Sequence, residues 1–248
     1  MPLIVYGINP VLEALRSGRV RKLRVTSRSD RRVEEALAIA RERGVAIERA
    51  TSEAIDRVAR GGVHQGIVAE LDEPRDYSLR ELVESAAPAA PLLVVLDGIE
   101  DPHNVGAILR TADAAGAHGV VRQARHSASL DGIAAKASAG AVAHARVATE
   151  VNIARAIEEL KDLGVWTVGL AGDATERYDD VDLTLPTAIV LGGEGPGLRR
   201  LVRDRCDRLV SIQMHGRVSS LNVSVAAGVV LFEAARQRKK RPGTRDTG

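Results

Sequence analysis

The chain has 248 residues, 45% of them hydrophobic and 27% charged, a composition that is typical of a folded protein and excludes disorder for most of it. Aromatic residues make up only 2%, so recognition of nucleic acid by stacking on aromatic side chains is disfavoured. The 35 Lys and Arg residues nearly balance the 33 Asp and Glu residues, and the net charge of +2 does not by itself indicate a polyanionic partner.

Helix and strand signals alternate in the N-terminal part of the chain. Asn9 is predicted to cap a helix that has Pro10 at its first position and ends at Gly18. The next predicted elements are a strand over 19–26, a helix over 30–43, a strand over 45–48, a helix after 51–52 and a strand over 66–71. This alternation predicts a small α/β unit.

A change of composition after position 72 predicts a linker, because Pro, Ser and Ala dominate there around one short helical stretch at 79–83. The length of the chain is sufficient for two domains. The predicted organisation is a first domain over 1–73, a linker over 74–91, a second domain over 92–241 and a flexible tail over 242–248.

The C-terminal part opens with a run at 92–96 that is too apolar for a strand with one wet face, so it is predicted to be central in a parallel sheet. Further strands are predicted at 119–122, 165–170, 187–191 and 208–214, and helices at 105–115, 152–163, 198–206 and 222–238. Strands that alternate with helices form parallel sheets, and ligands bind beyond the carboxyl ends of their strands. Functional residues are therefore expected in the loops after the strands.

The first such loop leads into the helix 105–115. Asn104 stands where it can cap that helix, and Arg110 lies six residues further on. A helix N-terminus together with a guanidinium favours an anion such as a phosphate or a carboxylate. The alternative is a capped helix with a surface Asp–Arg pair.

The second loop, at 192–197, reads Gly-Gly-Glu-Gly-Pro-Gly. Its glycines let the backbone come close to a ligand or to another chain segment. The spacing is neither that of a P-loop nor Gly-x-Gly-x-x-Gly, so nucleoside triphosphate or dinucleotide binding is not supported. Glu194 is placed to orient a polar partner, and an exposed Glu in a strained turn is the alternative.

The third loop precedes the helix 222–238 and offers Ser219, Ser220 and Asn222. Helix capping accounts for only one of these three short polar side chains. It does not explain why polar residues occur here and also in the two earlier loops.

Basic residues cluster in two places. Over 16–32, eight Lys and Arg residues are opposed by Asp30 alone, and the segment 236–241 is basic apart from Gln237. Such clusters favour a phosphate backbone and release its counterions. The alternative is a solvated surface with a frayed tail.

Cys206 is the only cysteine, which excludes an internal disulfide, and no stretch approaches the roughly 20 apolar residues of a membrane span. The N-terminus lacks the basic region and long apolar run of a signal peptide. The six His residues show no paired ligand spacing, so no metal site is expected. We therefore expect a cytoplasmic protein that has no membrane partner.

Three segments, in chain order, carry a resemblance to a known family. They are Asn104-x5-Arg110-Thr-Ala, Gly192-Gly-Glu-Gly-x-Gly and Ser220-Leu-Asn-Val-Ser-Val-Ala. These segments resemble the three motifs of the SpoU/TrmH family of RNA ribose 2'-O-methyltransferases, and the match spans about 92–238. The segments 7–15 and 63–69 also resemble the ends of a small L30e-like RNA-binding domain found in the branch that acts on a guanosine of 23S rRNA.

The resemblance implies a SPOUT fold, an α/β domain with a parallel sheet and a deep trefoil knot that binds S-adenosylmethionine, preceded by the L30e-like α/β domain. The catalytic set that it implies is Asn104, Arg110, Glu194, Ser220 and Asn222. The cofactor-binding set that it implies, acting largely through backbone groups, is Gly169, Leu170, Ala171, Gly172, Leu191, Gly192, Ile212 and Leu221. No metal is implied.

Two positions depart from the family pattern. Gln213 stands where the family usually has a proline, which puts the rigidity of that loop in doubt. Glu100 replaces the commoner Gln, and a carboxylate there would weaken the approach of phosphate if it faces the RNA.

The family assigns removal of the ribose hydroxyl proton to Arg110, although a guanidinium holds its proton to about pH 12. Two roles for Arg110 therefore stay open. It accepts the proton with the help of a neighbouring RNA phosphate, or it clamps phosphate while the proton leaves by another route. His103 is a further candidate base.

The same chemistry on tRNA or on another rRNA site, including antibiotic-resistance methylation, is one alternative function. A non-catalytic RNA-binding factor is another. The resemblance also implies a homodimer formed through the C-terminal domain, to which the helix 222–238, rich in Ala, Gly and Val, is suited. Packing of that helix within one chain is the alternative.

Overall fold

The computed structural model describes residues 3–27, 30–72, 75–125, 127–128, 130, 132–138, 141–195 and 197–240. The chain divides into two compact units. The first runs to Arg75 and includes Asp101–Arg110 and Ala128–Ala145, and the second comprises Asp76–Glu100, Thr111–Ser127 and the chain from Arg146 onward. The expected tail at 242–248 lies outside the described residues. Pro74, from the predicted linker, and Arg241, from the end of the predicted second domain, also lie outside them.

The strands, in chain order, are β1 (Ile4–Tyr6), β2 (Val20–Val25), β3 (Ala46–Arg49), β4 (Ile67–Leu71), β5 (Leu92–Asp97), β6 (Gly119–Gln123), β7 (Val147–Glu150), β8 (Trp166–Leu170), β9 (Glu176–Arg177), β10 (Thr187–Gly192) and β11 (Arg208–Ser211). The helices are α1 (Ile8–Arg16), α2 (Arg31–Glu42), α3 (Ser52–Val58), α4 (Leu79–Glu84), α5 (Pro102–Ala114), α6 (Gly132–Ala137), α7 (Ile153–Asp162), α8 (Arg200–Arg205) and α9 (Val223–Lys240).

The first unit contains a four-stranded sheet in the order β1-β4-β2-β3. β4 pairs antiparallel with β1 and β2, and β2 pairs parallel with β3. Along β2, Leu23 and Val25 are buried and Arg24 between them is less so, as expected for a strand with one face on a core, and a register shift between Val20 and Lys22 lets Val20 be buried as well. Helix α2 packs its buried stripe, which includes Val33 and Leu37, into that core.

Helix α1 begins at Ile8, two residues earlier than its sequence indicates. The N-cap is Gly7, whose φ of 90° suits glycine, so the prediction that Asn9 caps this helix is wrong. The side chain of Gln65 replaces the missing cap, because its Oε1 accepts a hydrogen bond of 3.0 Å from the Ile8 N–H. By contrast, α3 has a side-chain cap, because the Thr51 hydroxyl accepts from the Ala54 N–H.

The second unit is built on a seven-stranded sheet in the order β7-β6-β5-β10-β8-β11-β9, in which every strand pairing is parallel. All six residues of β5 are buried, as are five of the six in β10, which explains why β5 is apolar up to its last residue and β10 is apolar after its first. The predicted parallel α/β sheet is confirmed. The trefoil knot stays a prediction.

The segment 76–91, within the predicted linker, contributes to the second unit. Ser78 and Glu81 form a capping box at the start of α4, and Leu82 of this helix is fully buried. A Cβ placed on Gly119 of β6 would lie 2.7 Å from the Leu82 Cδ2, so the glycine makes room for this packing. The domain boundaries predicted from composition stay a prediction.

Within the described ranges, no helix has both the length and the apolar character of a membrane span. Across the same residues, no cluster of three His, Cys, Asp or Glu side chains is placed to hold a metal ion.

Candidate active site at the carboxyl ends of the parallel strands

Most of the expected cofactor-binding residues lie at one edge of the second unit's sheet. β10, β8 and β11 are neighbours and run parallel, so their carboxyl ends meet at that edge. Leu191 and Gly192 end β10, Gly169 and Leu170 end β8, Ala171 and Gly172 follow β8, and Ile212 follows β11. Leu221 lies just before α9 and is 37% exposed. The structure therefore gathers residues that are up to 43 positions apart, from 169 to 212.

The glycine loop after β10 folds tightly on itself. The Gly197 N–H donates to the Gly193 carbonyl oxygen at 3.1 Å, and a Cβ on Gly192 would lie 2.1 Å from the Gly197 carbonyl carbon. Gly195 and Gly197 have φ values of 83° and 68°, which side-chain-bearing residues rarely adopt. The sequence predicted that these glycines let the backbone approach a ligand or another chain segment. The approach to another chain segment is confirmed.

The start of the loop that follows β5 lies directly beside the glycine loop. The Gly193 N–H donates to the Asp97 carbonyl oxygen at 2.9 Å, and a Cβ on Gly193 would lie 2.4 Å from the Gly98 carbonyl oxygen. Asp97, whose side chain is fully buried, also accepts hydrogen bonds from Arg199. The sequence interpretation assigned no role to Asp97 or Arg199. The sequence signal that could have pointed to Asp97 is its position as the single charged residue at the end of an otherwise apolar strand.

Glu194 and Asn222 lie in contact although 28 residues separate them. The Asn222 Nδ2 donates to the Glu194 Oε1 at 3.2 Å. The Asn222 Oδ1 accepts from the Ser224 N–H at 2.9 Å and from the Ser224 hydroxyl at 2.6 Å, which fixes the orientation of the amide and caps the start of α9. The second and third sequence motifs therefore meet at this pair, and Ser220 lies exposed two residues before it.

The first motif lies on α5, and its residues Asn104 and Arg110 are in the part of that helix that belongs to the first unit. The expectation that Asn104 caps the helix is wrong, because α5 begins at Pro102 and the Asp101 Oδ1 accepts the His103 N–H at 2.9 Å. Asn104 is 5% exposed, whereas Arg110 is exposed. Six residues correspond to about 600° of helical rotation, so the two side chains point about 120° apart.

His103 shares the exposed side of α5 with Arg110, since seven residues are about two turns. A rise of about 1.5 Å per residue puts roughly 10 Å along the axis between their Cα atoms. At this separation, His103 and Arg110 do not form a pair that acts together on the proton of the ribose hydroxyl.

Gln213, which stands in place of the family's usual proline, is held from outside its own loop. Its Oε1 accepts a hydrogen bond of 2.5 Å from the Arg177 guanidinium of β9, which in turn is paired with Asp179. This contact restrains the residue directly after Ile212. Glu100, the other departure from the family pattern, is exposed.

Cys206 is not a candidate nucleophile. Burial raises the pKa of its thiol to about 12, so the thiolate is scarcely populated at neutral pH.

Four of the eight cations of the basic cluster over 16–32, namely Arg16, Arg21, Lys22 and Arg24, pair with carboxylates inside the first unit, and Arg28 lies outside the described residues. Glu70 bridges Arg21 and Arg24, and Lys22 contacts Glu48 at 2.5 Å. Burial alone would raise the pKa of Glu70, but the hydrogen bond and the charge of Arg24 lower it below the ordinary value. These cations are thus partly neutralised, which weakens the interpretation of the cluster as a phosphate-binding surface.

The residues at the carboxyl edge fit the chemistry of S-adenosylmethionine. The expected cofactor set consists only of glycine and aliphatic residues, which offer backbone N–H and carbonyl groups and apolar contact rather than cations. Such a set suits an adenosine, which backbone groups and apolar contacts can hold.

Comparisons with known proteins agree with this geometry. The family model described as SpoU rRNA Methylase family matches residues 91–232, and the model described as RNA 2'-O ribose methyltransferase substrate binding matches residues 4–77. The 23S rRNA (guanosine-2'-O-)-methyltransferase RlmB of Yersinia pestis is 46% identical and covers 96% of this chain and 98% of its own length. The protein of the same name from Pectobacterium atrosepticum is 43% identical over 96% of this chain and 99% of its own.

Among solved structures, the SpoU methyltransferase AviRb from Streptomyces viridochromogenes in complex with the cofactor AdoMet superposes with a TM-score of 0.81. It is 27% identical to this chain, and the match covers 96% of this chain and 91% of that one.

Proposed function

Since this chain belongs to the SpoU rRNA methylase family and is an RNA ribose 2'-O-methyltransferase that uses S-adenosylmethionine, we propose that its substrate is a guanosine of 23S rRNA. The observation that carries the proposal is identity of 43–46% over nearly the whole chain to enzymes named for that nucleotide. Because the match includes the substrate-binding region at 4–77, it extends beyond the catalytic motifs.

The cofactor site that we propose lies at the carboxyl ends of β8, β10 and β11. Backbone groups near Leu170, Gly192 and Ile212 hold the adenosine, and the aliphatic side chains exclude water from it. The bound cofactor supplies an electrophilic methyl group. The glycine loop supports this position, because Gly192 and Gly193 place no side chain at the end of β10 and let backbone pack against backbone there.

In the proposed site, the chain's residues align the ribose hydroxyl and handle its proton. Methyl transfer is an in-line displacement, so orientation contributes much of the rate. Asn222, fixed by Glu194 and Ser224, orients the methionine portion or the ribose through its amide. Asn104 and Ser220 complete the orienting set, and Arg110 acts at the hydroxyl or its neighbouring phosphate.

We further propose that the region 1–73 binds the RNA and that the enzyme is a cytoplasmic homodimer. Exposed apolar residues on α9 support the dimer, because Val225 and Phe232 are 52% and 53% exposed and lie seven residues apart on one side of the helix.

The test is transfer of labelled methyl groups from S-adenosylmethionine to unmodified 23S rRNA and to bulk tRNA, followed by mapping of the product. The expected result is label at the 2'-hydroxyl of one guanosine of 23S rRNA. Label on tRNA or on a different rRNA nucleotide would replace the proposed substrate. Binding of RNA without transfer would favour the non-catalytic alternative.

A further inference from the structure

We propose that Asp97 is a positioning residue of the cofactor site, which clamps both ends of the glycine loop after β10. The inference rests on the proposed location of the cofactor at that loop. Asp97 is the last residue of β5, the strand that pairs with β10 along its whole length, so it stands beside the point where the loop begins.

The two ends of the loop are held by different groups of the same residue. The Asp97 carbonyl oxygen accepts the Gly193 N–H at 2.9 Å, at the start of the loop. The Asp97 Oδ2 accepts the Arg199 N–H at 2.8 Å, at its end, and Oδ1 accepts the Arg199 Nε at 2.7 Å. A further guanidinium nitrogen of Arg199 lies against Oδ1.

A loop this rich in glycine needs such a clamp. Glycine loses more conformational freedom on ordering than any other residue, and the side chains that would otherwise anchor the loop are missing. The Asp97 side chain is wholly buried, and a buried carboxylate is tolerated only when donors satisfy it. The donors here come from Arg199, so the carboxylate keeps its donors only while the loop stays closed. A preorganised loop binds its ligand more tightly, since the ordering has already taken place.

Asp207 offers a matched control in the same sheet. It stands directly before β11, and its carboxylate accepts from the Thr167 N–H at 2.9 Å and from the Thr167 hydroxyl at 2.7 Å. Lys161 pairs with it at 2.9 Å. Asp207 thus stabilises the amino ends of β8 and β11, away from the loops at the carboxyl ends.

The experiment compares D97N and D207N with the wild-type enzyme. The amide of D97N presents an N–H₂ group where the carboxylate had accepted from Arg199, so the loop is released. We expect the Kd for S-adenosylmethionine, measured by calorimetry, to rise by about tenfold to a hundredfold, the range for losing a hydrogen bond to a charged group. We expect KM for the cofactor to rise with it and kcat to change by less than about threefold, the pattern of lost uniform binding. D207N should lower Tm and leave the Kd unchanged.

A Kd for D97N equal to that of the wild type, with a loss of Tm like that of D207N, would overturn the inference and leave the proposed function intact. If D97N does not fold, R199A decides in its place, because the Arg199 side chain is 48% exposed. R199A is expected to weaken cofactor binding and R199K to recover part of it, and an unchanged Kd in R199A overturns the clamp. Failure of the wild-type enzyme to bind S-adenosylmethionine would overturn the proposed function, and the inference with it.

Discussion

Arg110 is the residue on which the proposed chemistry depends most, and it is exposed on α5 rather than buried with Asn104. We expect R110A to lose methyl transfer by at least about a hundredfold, the lower range for loss of a general acid–base group, while its Kd for S-adenosylmethionine stays near that of the wild type. Single-turnover transfer and calorimetry measure the two. Wild-type turnover in R110A would remove Arg110 from the catalytic set.

R110K separates the two roles of Arg110. Lysine binds phosphate as a point charge, so a variant that keeps much of the activity indicates a phosphate clamp. A loss as deep as that of R110A indicates that the guanidinium itself is needed at the hydroxyl.

Gln213 shows how a departure from a family pattern is compensated at the scale of one side chain. A proline restricts the backbone covalently, whereas Gln213 is restrained by the hydrogen bond from Arg177. We expect Q213A to raise the KM for S-adenosylmethionine by about threefold to tenfold, and Q213P to stay near the wild type. A KM in Q213A equal to that of the wild type would show that the contact does not restrain the loop.

At the scale of elements, His118 ties β5 to the segment that leads into β6. Its Nδ1 accepts the Leu92 N–H at 3.0 Å, which requires the neutral ring. Burial lowers the pKa of His118 below its ordinary value of 6.5, and the charges of Arg238 and Arg146 add to this. The unfolded chain therefore takes up a proton before the folded one as the pH falls below about 6.5, so the stability is present above that pH and is lost below it.

We expect the Tm of the wild type to fall between pH 6.5 and 5 more steeply than that of H118Q, whose amide oxygen can accept the same N–H. Thermal melts across this range measure the difference between the two proteins, and parallel curves would contradict the assignment to His118.

The sequence predicted the long elements of both units and some short ones, and it missed the short elements β1, β7, β9 and α6. Helices such as α2 and α7 show the helical period over ten or more residues, and β5 and β10 are apolar over most of their length. β1 and β9 have three and two residues, too few to show a period, and they exist because neighbouring strands pair with them. The start of α5 was misplaced because Asp101 and Asn104 are both good caps, and only the hydrogen bond made by Asp101 distinguishes them.

At the scale of the whole molecule, the proposed dimer makes the exposed side of α9 an interface. We expect light scattering to give the mass of two chains, and F232E to shift it toward one chain, because a buried unpaired charge destabilises an interface. L201E, at a residue of α8 that is 68% exposed, should leave the mass unchanged. A wild-type mass of one chain would discard the dimer.

The sequence alone determined the α/β class, the parallel sheet of the second unit and, through three ordered motifs, the resemblance that the family comparisons confirm. These properties can be predicted from the sequence because they depend on the periodicity of hydrophobic residues and on residue types at short spacing. Only the tertiary structure decided that Glu194 meets Asn222, that Asp97 holds the glycine loop and that Arg177 supports Gln213. These contacts join residues 28, 102 and 36 positions apart, and their partners are set by strand order and loop closure, which no local pattern encodes.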